Sequence, residues 1–336
     1  DANAGRLSTN GELVFAIEDS GAAQAIDDPE AKTQLAPSTS NRLAAYEPAT
    51  GRIRWELGGG EGESALVEAG TFFLGAPLPV GNSLYVLAET DAVVRLLEID
   101  ALNGDVRWSQ PLIEVARVWS IAENAGRRLM GLSPSLSQGT LICPTGTGFV
   151  VAVDVVRRRL RWIEDLPLAS MVDADGLIQM KPAPVDPSKD TGWVDGTPVI
   201  AGSSVLIPRP GGHPIYCLSL KDGSRQWALY ARKLPPNARW LAVDDRQRLL
   251  IVGERSAQAY DMATGAPLWK RPSSLPTPCG SGLIMAGTLY VPTREVAIGK
   301  TRGLISRLDI ATGENLGDIL PTSDSEPAVA ETPETP

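Results

Sequence analysis

Residues Ala45–Trp55 read AYEPATGRIRW, and residues Ala259–Trp269 read AYDMATGAPLW. In both stretches an acidic residue is followed by glycine four positions later and by tryptophan eight positions later. The apolar residues before the acidic position predict a strand, the segment up to glycine predicts a tight turn, and the remainder predicts a second short strand that ends at tryptophan. Each stretch therefore encodes a β-hairpin.

The hairpin pattern recurs six times, with anchors near residues 55, 108, 162, 227, 269 and 317. Three positions define its register. The first is acidic in five copies and Ser219 in the fourth: Glu47, Asp100, Asp154, Asp261 and Asp309. The second is glycine in five copies and Arg158 in the third: Gly51, Gly104, Gly223, Gly265 and Gly313. The third is tryptophan in five copies and Gly317 in the sixth: Trp55, Trp108, Trp162, Trp227 and Trp269.

A second pair of strand signals precedes the hairpins, as in Ala76–Val80 followed by Ser83–Leu87. Four strands in units of about 40 to 50 residues are typical of propeller blades. We therefore expect an all-β fold, a β-propeller of four-stranded antiparallel blades. Six blades are recognisable in the sequence, and a complete ring of seven or eight is compatible with the pattern.

The domain boundaries follow from composition. Residues 1–320 are predicted to form the propeller. Residues 321–336 contain four prolines and four acidic residues without a basic or aromatic residue, which predicts a linker or disordered tail. Such a spacer suggests that the chain is one domain of a longer protein.

Charge and rare residues exclude several classes of function. A net charge of −9 and a pI near 4.9 disfavour nucleic acid as a partner. No apolar run is long enough for a transmembrane helix. A single histidine, His213, excludes zinc sites that need two. Cys143, Cys217 and Cys279 are isolated, so neither a disulfide framework nor a C-x-x-C metal motif is expected.

The A-x-D-x-x-T-G-x-x-x-W pattern and its preceding strands resemble the tryptophan-docked repeats of quinoprotein-like (PQQ-like) β-propellers. That family includes quinoprotein alcohol dehydrogenases and the outer-membrane assembly lipoprotein BamB. The sequences of residues 41–51, 72–80 and 143–146 are similar to those of the large PQQ-like repeat proteins of planctomycete-type bacteria. The resemblance covers residues 7 to 317 and implies an exported protein of the cell envelope.

The register tryptophans are interpreted as packing between blades, each indole N–H donating to a neighbouring backbone. Trp119, Trp193 and Trp240 lie outside the register, and Trp193 is a candidate for a loop-face or channel-facing position. Residues 115–130 contain helix formers, and Ile121 and Leu129 are spaced for a short amphipathic helix.

Few side chains suggest a ligand site. Asp173 and Asp175 precede a glycine as in a calcium loop, but the closing glutamate is missing, so a solvated acidic loop is favoured. Asp186, Asp190 and Asp195 add negative charge that suits a basic partner. The basic run Arg157–Arg161 is placed on an exposed turn, where a solvated surface is favoured over a phosphate or anionic-lipid contact because the net charge is −9. Gly58–Gly62 is interpreted as a flexible connector.

Three functions compete. The resemblance to quinoprotein dehydrogenases would require an adjacent cysteine pair, calcium ligands and a catalytic aspartate, and the cysteine pair is absent. The resemblance therefore assigns no catalytic, cofactor-binding or metal-binding residue to this chain. Carboxylates in the central channel would support a carbohydrate-active propeller instead. The sequence favours the third function, a scaffold without catalysis or cofactor that binds another protein or other domains of its own chain.

Overall fold

The computed structural model describes residues 7–18, 39–60, 67–128, 130–166, 196–208, 214–269, 273–297 and 300–320. These residues form six antiparallel sheets in chain order, each a meander of four strand positions. The predicted all-β propeller fold of four-stranded blades is thereby confirmed. Residues 321–336 lie outside the described part, so the domain boundary near residue 320 stays a prediction.

The strands follow the chain from the innermost to the outermost position of each blade. Blades one and two comprise β1 (Leu7–Thr9), β2 (Val14–Glu18), β3 (Arg42–Tyr46), β4 (Ile53–Gly58), β5 (Phe72–Phe73), β6 (Leu78–Val80), β7 (Ser83–Thr90), β8 (Val93–Asp100) and β9 (Val106–Glu114). Blades three and four comprise β10 (Ser135–Ser137), β11 (Thr140–Pro144), β12 (Phe149–Asp154), β13 (Arg159–Asp165), β14 (Val199–Ala201), β15 (Ser204–Ile207), β16 (Ile215–Ser219) and β17 (Arg225–Leu229). Blades five and six comprise β18 (Trp240–Val243), β19 (Arg248–Val252), β20 (Ser256–Asp261), β21 (Ser273–Ser274), β22 (Thr277–Pro278), β23 (Leu283–Met285), β24 (Thr288–Ala297), β25 (Lys300–Asp309) and β26 (Asn315–Ile319).

The hydrophobic core consists of the five seams between consecutive blades. Alternate residues of a strand point to opposite faces of its sheet, so each internal blade contacts both neighbours. In the second blade Leu84 and Val86 pack against the first blade, whereas Tyr85 and Leu87 pack against the third. The remaining three seams repeat this arrangement. The core is therefore distributed around an arc, with both faces of the internal sheets buried.

Four register tryptophans occupy equivalent positions in these seams. Each indole Nε1 donates to the carbonyl of the residue after the acidic or serine position of the next blade, at 3.0 to 3.1 Å. The register glycine of that next blade lies against the ring, and a Cβ there would approach indole carbons to 2.6–2.9 Å. The pairs are Trp55 with Ala101 and Gly104, Trp162 with Leu220 and Gly223, Trp227 with Met262 and Gly265, and Trp269 with Ile310 and Gly313.

Trp108 is the exception among the described tryptophans of the register. Arg158 takes the glycine position of the third blade with φ +51°, and its guanidinium carbon lies 5.7 Å from the centroid of the Trp108 ring. The same guanidinium binds Glu98 at 3.0 Å. In the described part of this seam Trp108 has no indole hydrogen bond, so a cation–π contact replaces the glycine stack.

The predicted end of the outer strand at tryptophan is wrong. Trp55 is the third residue of β4, Trp108 the third of β9, and Trp227 the third of β17. A β-bulge next to the tryptophan pair directs the ring into the seam, and the strand then continues its ladder with the third strand. Within the described residues only the fifth blade lacks this continuous ladder, since Pro267 makes a single bridge to Tyr260 and β21 begins later.

The helix expected within residues 115–130 is much shorter than predicted. A 3₁₀ turn at Arg117–Trp119 is followed by a four-residue helix, α1 (Ala125–Arg128). Gly58 also departs from its interpretation as a flexible connector, because it ends β4 and donates to the carbonyl of Val67 at 2.9 Å.

Candidate functional site

The two ends of the blades differ in how their strands are connected. At one end, called the turn face, lie the connections between first and second strands and between third and fourth strands. Each has at most six residues when the Tyr260–Pro267 bridge is counted as the start of the fourth strand of blade five. At the opposite end, called the loop face, lie the connections between second and third strands and between successive blades. All connections longer than six residues lie there.

The same side-chain contact recurs in hairpin turns of the turn face: an aspartate accepts backbone N–H groups of its own turn. Asp309 accepts from the backbone N–H of Thr312 at 2.8 Å, and the N–H of Gly313 donates to the Asp309 carbonyl at 2.8 Å. The backbone N–H of Thr312 and then its hydroxyl hold the pKa of the Asp309 carboxyl below its usual 3.8. The backbone N–H of Arg157, followed by its guanidinium, lowers the pKa of Asp154 in the same way. These carboxylates stabilise turns.

The longest loop-face connections leave and return at described residues. One runs from Glu18 to Thr39, and another runs from Leu166 to Gly196. Their sequences between these ends are acidic, with four carboxylates and one lysine in residues 19–38 and five aspartates and two lysines in residues 167–195. Both of these acidic segments thus begin and end on the loop face.

The connection between blades two and three is held by a buried ion pair. Arg127 of α1 is fully buried, and its Nη1 lies 2.6 Å from Oε2 of Glu89 in β7. The guanidinium also donates to the carbonyls of Trp119 and Thr145. Burial lowers the pKa of Arg127, and the Glu89 carboxylate opposes that shift. The pair binds this connection to both blades, so its short helix has a fixed position.

A shallow apolar depression lies beside this connection on the loop face. Met130 and Leu132 of the connection form one wall, and Phe149 and Pro208 of the third and fourth blades form the other. The described lining contains no charged side chain. The described lining offers an apolar contact surface but no group for acid–base chemistry.

The described first strands of the blades lack the side chains that a glycosidase or a metal-dependent enzyme would need. In the described part of the chain, β1, β5, β6, β10, β14, β18, β22 and β23 contain no charged residue. Within the same described residues no group of three or more His, Cys, Asp or Glu could hold a metal ion. The described first strands thus supply no carboxylate for the pair that a glycosidase needs.

The described cysteines are separate. Cys143 in β11 and Cys217 in β16 are buried, and burial raises the pKa of both thiols, for Cys217 to about 12. Cys279 is exposed beside the innermost strand of the sixth blade. Thiols with raised pKa values are poor nucleophiles and metal ligands.

Several residues singled out in the sequence lie outside the described part. These are Asp173, Asp175, Asp186, Asp190, Trp193, Asp195 and His213. The basic run is described and lies on the turn face, where Arg157 binds Asp154, Arg158 binds Glu98, and Arg161 contacts the Thr140 hydroxyl. Trp240 packs against Gly282 in the seam between the fifth and sixth blades.

Two structural devices of the loop face were missed in the sequence. One is the Glu89–Arg127 pair. The other is Asn41, whose side chain donates to the Phe73 carbonyl at 2.9 Å and accepts from the Phe73 N–H at 2.7 Å, joining the first two blades. In the sequence these two contacts are marked only by an Asn before one strand and a Glu near the end of another. Neither residue recurs at the same position in the other blades.

Comparisons with known proteins agree with this architecture. The family model described as outer membrane protein assembly factor BamB matches residues 30–185. No curated protein matches the chain significantly. The structure of BamB from Moraxella catarrhalis is similar with a TM-score of 0.54 and 15% identity, over 94% of this chain and 75% of that one.

Two further structures share the fold at low identity. Dihydro-heme d1 dehydrogenase NirN gives a TM-score of 0.51 with 15% identity over 95% of this chain and 56% of that one. A chain of the mitotic checkpoint complex gives 0.54 with 10% identity over 97% of this chain and 79% of that one. Among the described residues no helix is long and apolar enough to cross a membrane. In fold, the chain is a BamB-like β-propeller.

Proposed function

We propose that this chain is a non-catalytic scaffold of the bacterial cell envelope whose loop face binds a protein partner. The observation that carries the proposal is the segregation of every connection longer than six residues to one face. Loops on a rigid frame form binding sites because they can vary without disturbing the core. The location in the envelope rests on the match to an outer membrane assembly factor.

The chemistry of this face fits a basic partner. Residues 19–38 and 167–195 together contain nine carboxylates and three lysines. Opposite charges speed association and orient the partner, and salt weakens this attraction. The adjoining depression beside Met130 and Phe149 supplies an apolar contact that salt does not screen. The partner is therefore expected to combine a basic surface with an exposed apolar side chain.

The experiment compares the two faces in quantitative cross-linking and co-purification from envelope extracts. In the loop-face variant, Asp27, Asp28 and Glu30 become Asn or Gln, and Met130 becomes Glu. The matched turn-face variant replaces Glu12 and Glu314 by Gln and Val156 by Glu; all three positions are exposed. The scaffold function predicts that partners are lost from the first variant, that they are retained by the second, and that binding falls as salt increases.

Retention of every partner by the loop-face variant would contradict the proposal. The quinoprotein alternative has a separate test, which is titration of the chain with PQQ and Ca²⁺. A saturable absorbance change accompanied by dye reduction with alcohols would replace the scaffold function with a dehydrogenase. We expect no such change, because the adjacent cysteine pair that the dehydrogenases require is absent from this sequence.

A further inference from the structure

The outer strand of the third blade, β13, has an open edge. It is the last strand of its sheet, so the blade uses only one of its two rows of backbone groups. Leu166 follows β13, and its N–H donates to the Gly148 carbonyl at 2.8 Å. Because bonded and unbonded positions alternate along an antiparallel ladder, Glu164 and Trp162 also bond to β12, whereas the N–H and C=O groups of Ile163 point away from the sheet. The edge of β13 therefore offers a donor and an acceptor to a further strand.

Two other outer strands protect the corresponding edge. The nine residues of β9 include Pro111, which has no N–H to offer. The edge of β4 is covered where the Gly58 N–H donates to the Val67 carbonyl at 2.9 Å. The seven residues of β13 include neither proline nor glycine, so its sequence does not prevent the addition of a strand.

The centre of β13 is apolar where the corresponding strands are polar or small. Ile163 directly follows the register tryptophan and is 49% exposed. The residue at the same place is Glu56 in the first blade, Ser109 in the second, Ala228 in the fourth and Asp318 in the sixth. An unprotected edge with an exposed apolar side chain at its centre is a template for strand pairing.

The charges of β13 are arranged symmetrically about Ile163. Arg161 lies two residues before it and Asp165 two residues after it, and both side chains are exposed. Among the described residues neither side chain forms an ion pair, since Arg161 contacts the Thr140 hydroxyl and Arg225 donates to the carbonyl of Asp165, not to its carboxylate. An antiparallel strand of the same sequence would therefore place an arginine opposite an aspartate at both ends of the contact.

We propose that β13 pairs with β13 of a second copy of this chain, forming a two-fold dimer with one sheet continuous through both third blades. The axis passes beside Ile163, so the two Ile163 residues lie opposite each other and exchange N–H···O=C bonds. Arg161 of each copy then lies opposite Asp165 of the other, and these charges set the register. Further blades would pack against sheet faces, not against the outer edge of an internal blade, so they do not compete for β13. The dimer is independent of the partner proposed for the loop face.

The size of the contact sets the expected affinity. The stretch from Arg161 to Asp165 spans about 17 Å, so the buried area is well below the roughly 1,600 Å² of a standard stable interface. The dimer is therefore weak. Sedimentation equilibrium of the full chain between about 5 and 500 μM covers the range expected of so small a contact, and reversible dimerisation is the expected result.

Exchange of the two charges tests the register. Arg161→Glu and Asp165→Arg each place like charges opposite each other at both ends of the contact, so each raises the dissociation constant at least about tenfold. The double variant restores opposite charges and dimerises within about threefold of the parent. Arg159→Glu is the matched control, since Arg159 is an exposed arginine of the same strand outside the paired stretch, and it changes the constant by less than about twofold. All three side chains are exposed, so the variants fold normally.

Hydrogen exchange resolved to single amides locates the contact. The outward N–H of Ile163 should exchange fast in dilute solution and slowly at high concentration, whereas the Glu164 amide, bonded to β12 in both states, is the internal reference. A chain that stays monomeric at the highest concentration would overturn the proposal. So would a dimer that Arg161→Glu leaves as tight as the parent, or one that the double variant does not restore, because its contact would lie elsewhere.

Discussion

Substitution of alanine for glycine at two register positions tests whether the tryptophan seams hold the blades together. Gly104 and Gly51 occupy the same place in their turns, with φ +80° and +68°. A Cβ on Gly104 would lie 2.9 Å from the Trp55 indole, whereas a Cβ on Gly51 has nothing within 4 Å. The two variants therefore share the backbone penalty and differ only in the contact with a neighbouring blade.

The expected magnitudes follow from these contacts. A left-handed conformation costs an alanine about 1–2 kcal/mol, which is the full effect expected of Gly51→Ala. Gly104→Ala also displaces the buried Trp55 ring, which costs about 1–3 kcal/mol in packing. It further weakens the 3.0 Å bond from the indole N–H to the Ala101 carbonyl, worth about 1 kcal/mol. Gly104→Ala should therefore destabilise the chain by about 2–4 kcal/mol more than Gly51→Ala.

Urea unfolding followed by far-ultraviolet circular dichroism measures this difference. A double-mutant cycle between Gly104→Ala and Trp55→Ala then isolates the contact, because alanine at position 55 removes both the indole N–H and the ring carbons that the new Cβ would meet. The cycle should show positive coupling, with Gly104→Ala costing less when the indole is absent. Equal shifts of the urea midpoint for Gly51→Ala and Gly104→Ala would refute the claim that the seam depends on close approach of the indole.

Three further predictions concern single devices of the fold. Asp309→Asn should flatten the acid limb of thermal unfolding: the lowered carboxyl pKa stabilises the fold above pH 3.8, and that stabilisation is lost as pH falls through the lower folded value. Glu89→Gln should speed hydrogen exchange of the Ile121 amide at least about tenfold, because the carboxylate that accepts this N–H at 2.7 Å also holds Arg127. Arg158→Gly should change stability by less than about 1 kcal/mol in urea unfolding, since relief of the positive φ offsets loss of the Trp108 contact.

The repeated part of the fold could be predicted because each blade uses the same chemistry at the same spacing. The aspartate turn, the glycine under the ring and the indole of the preceding blade all leave a local sequence signal. Trp55 and Gly104 therefore identify the same kind of contact as Trp227 and Gly265. Because the pattern repeats, the sequence also indicates which residues of neighbouring blades are in contact, and a single strand does not give this information.

The loop face could not be predicted in the same way, because its contacts occur once. Glu89 and Arg127 are 38 positions apart, and Asn41 and Phe73 are 32 positions apart. Both pairs depend on the packing of two blades, and neither follows a strand or helix period. The short α1 reflects the same limit, since a buried arginine, not an amphipathic stripe, fixes that connection.

The contrast between the two faces has a physical origin in the seams. A turn such as Ala101–Asp105 closes its own hairpin and also accepts the indole N–H of the preceding blade. An insertion there would disturb two blades at once. A loop-face connection joins only the two strands at its ends, so its length and charge can change at little cost to the core. The longest connections therefore begin and end on the loop face, and a face whose connections can change without loss of stability suits the binding function proposed above.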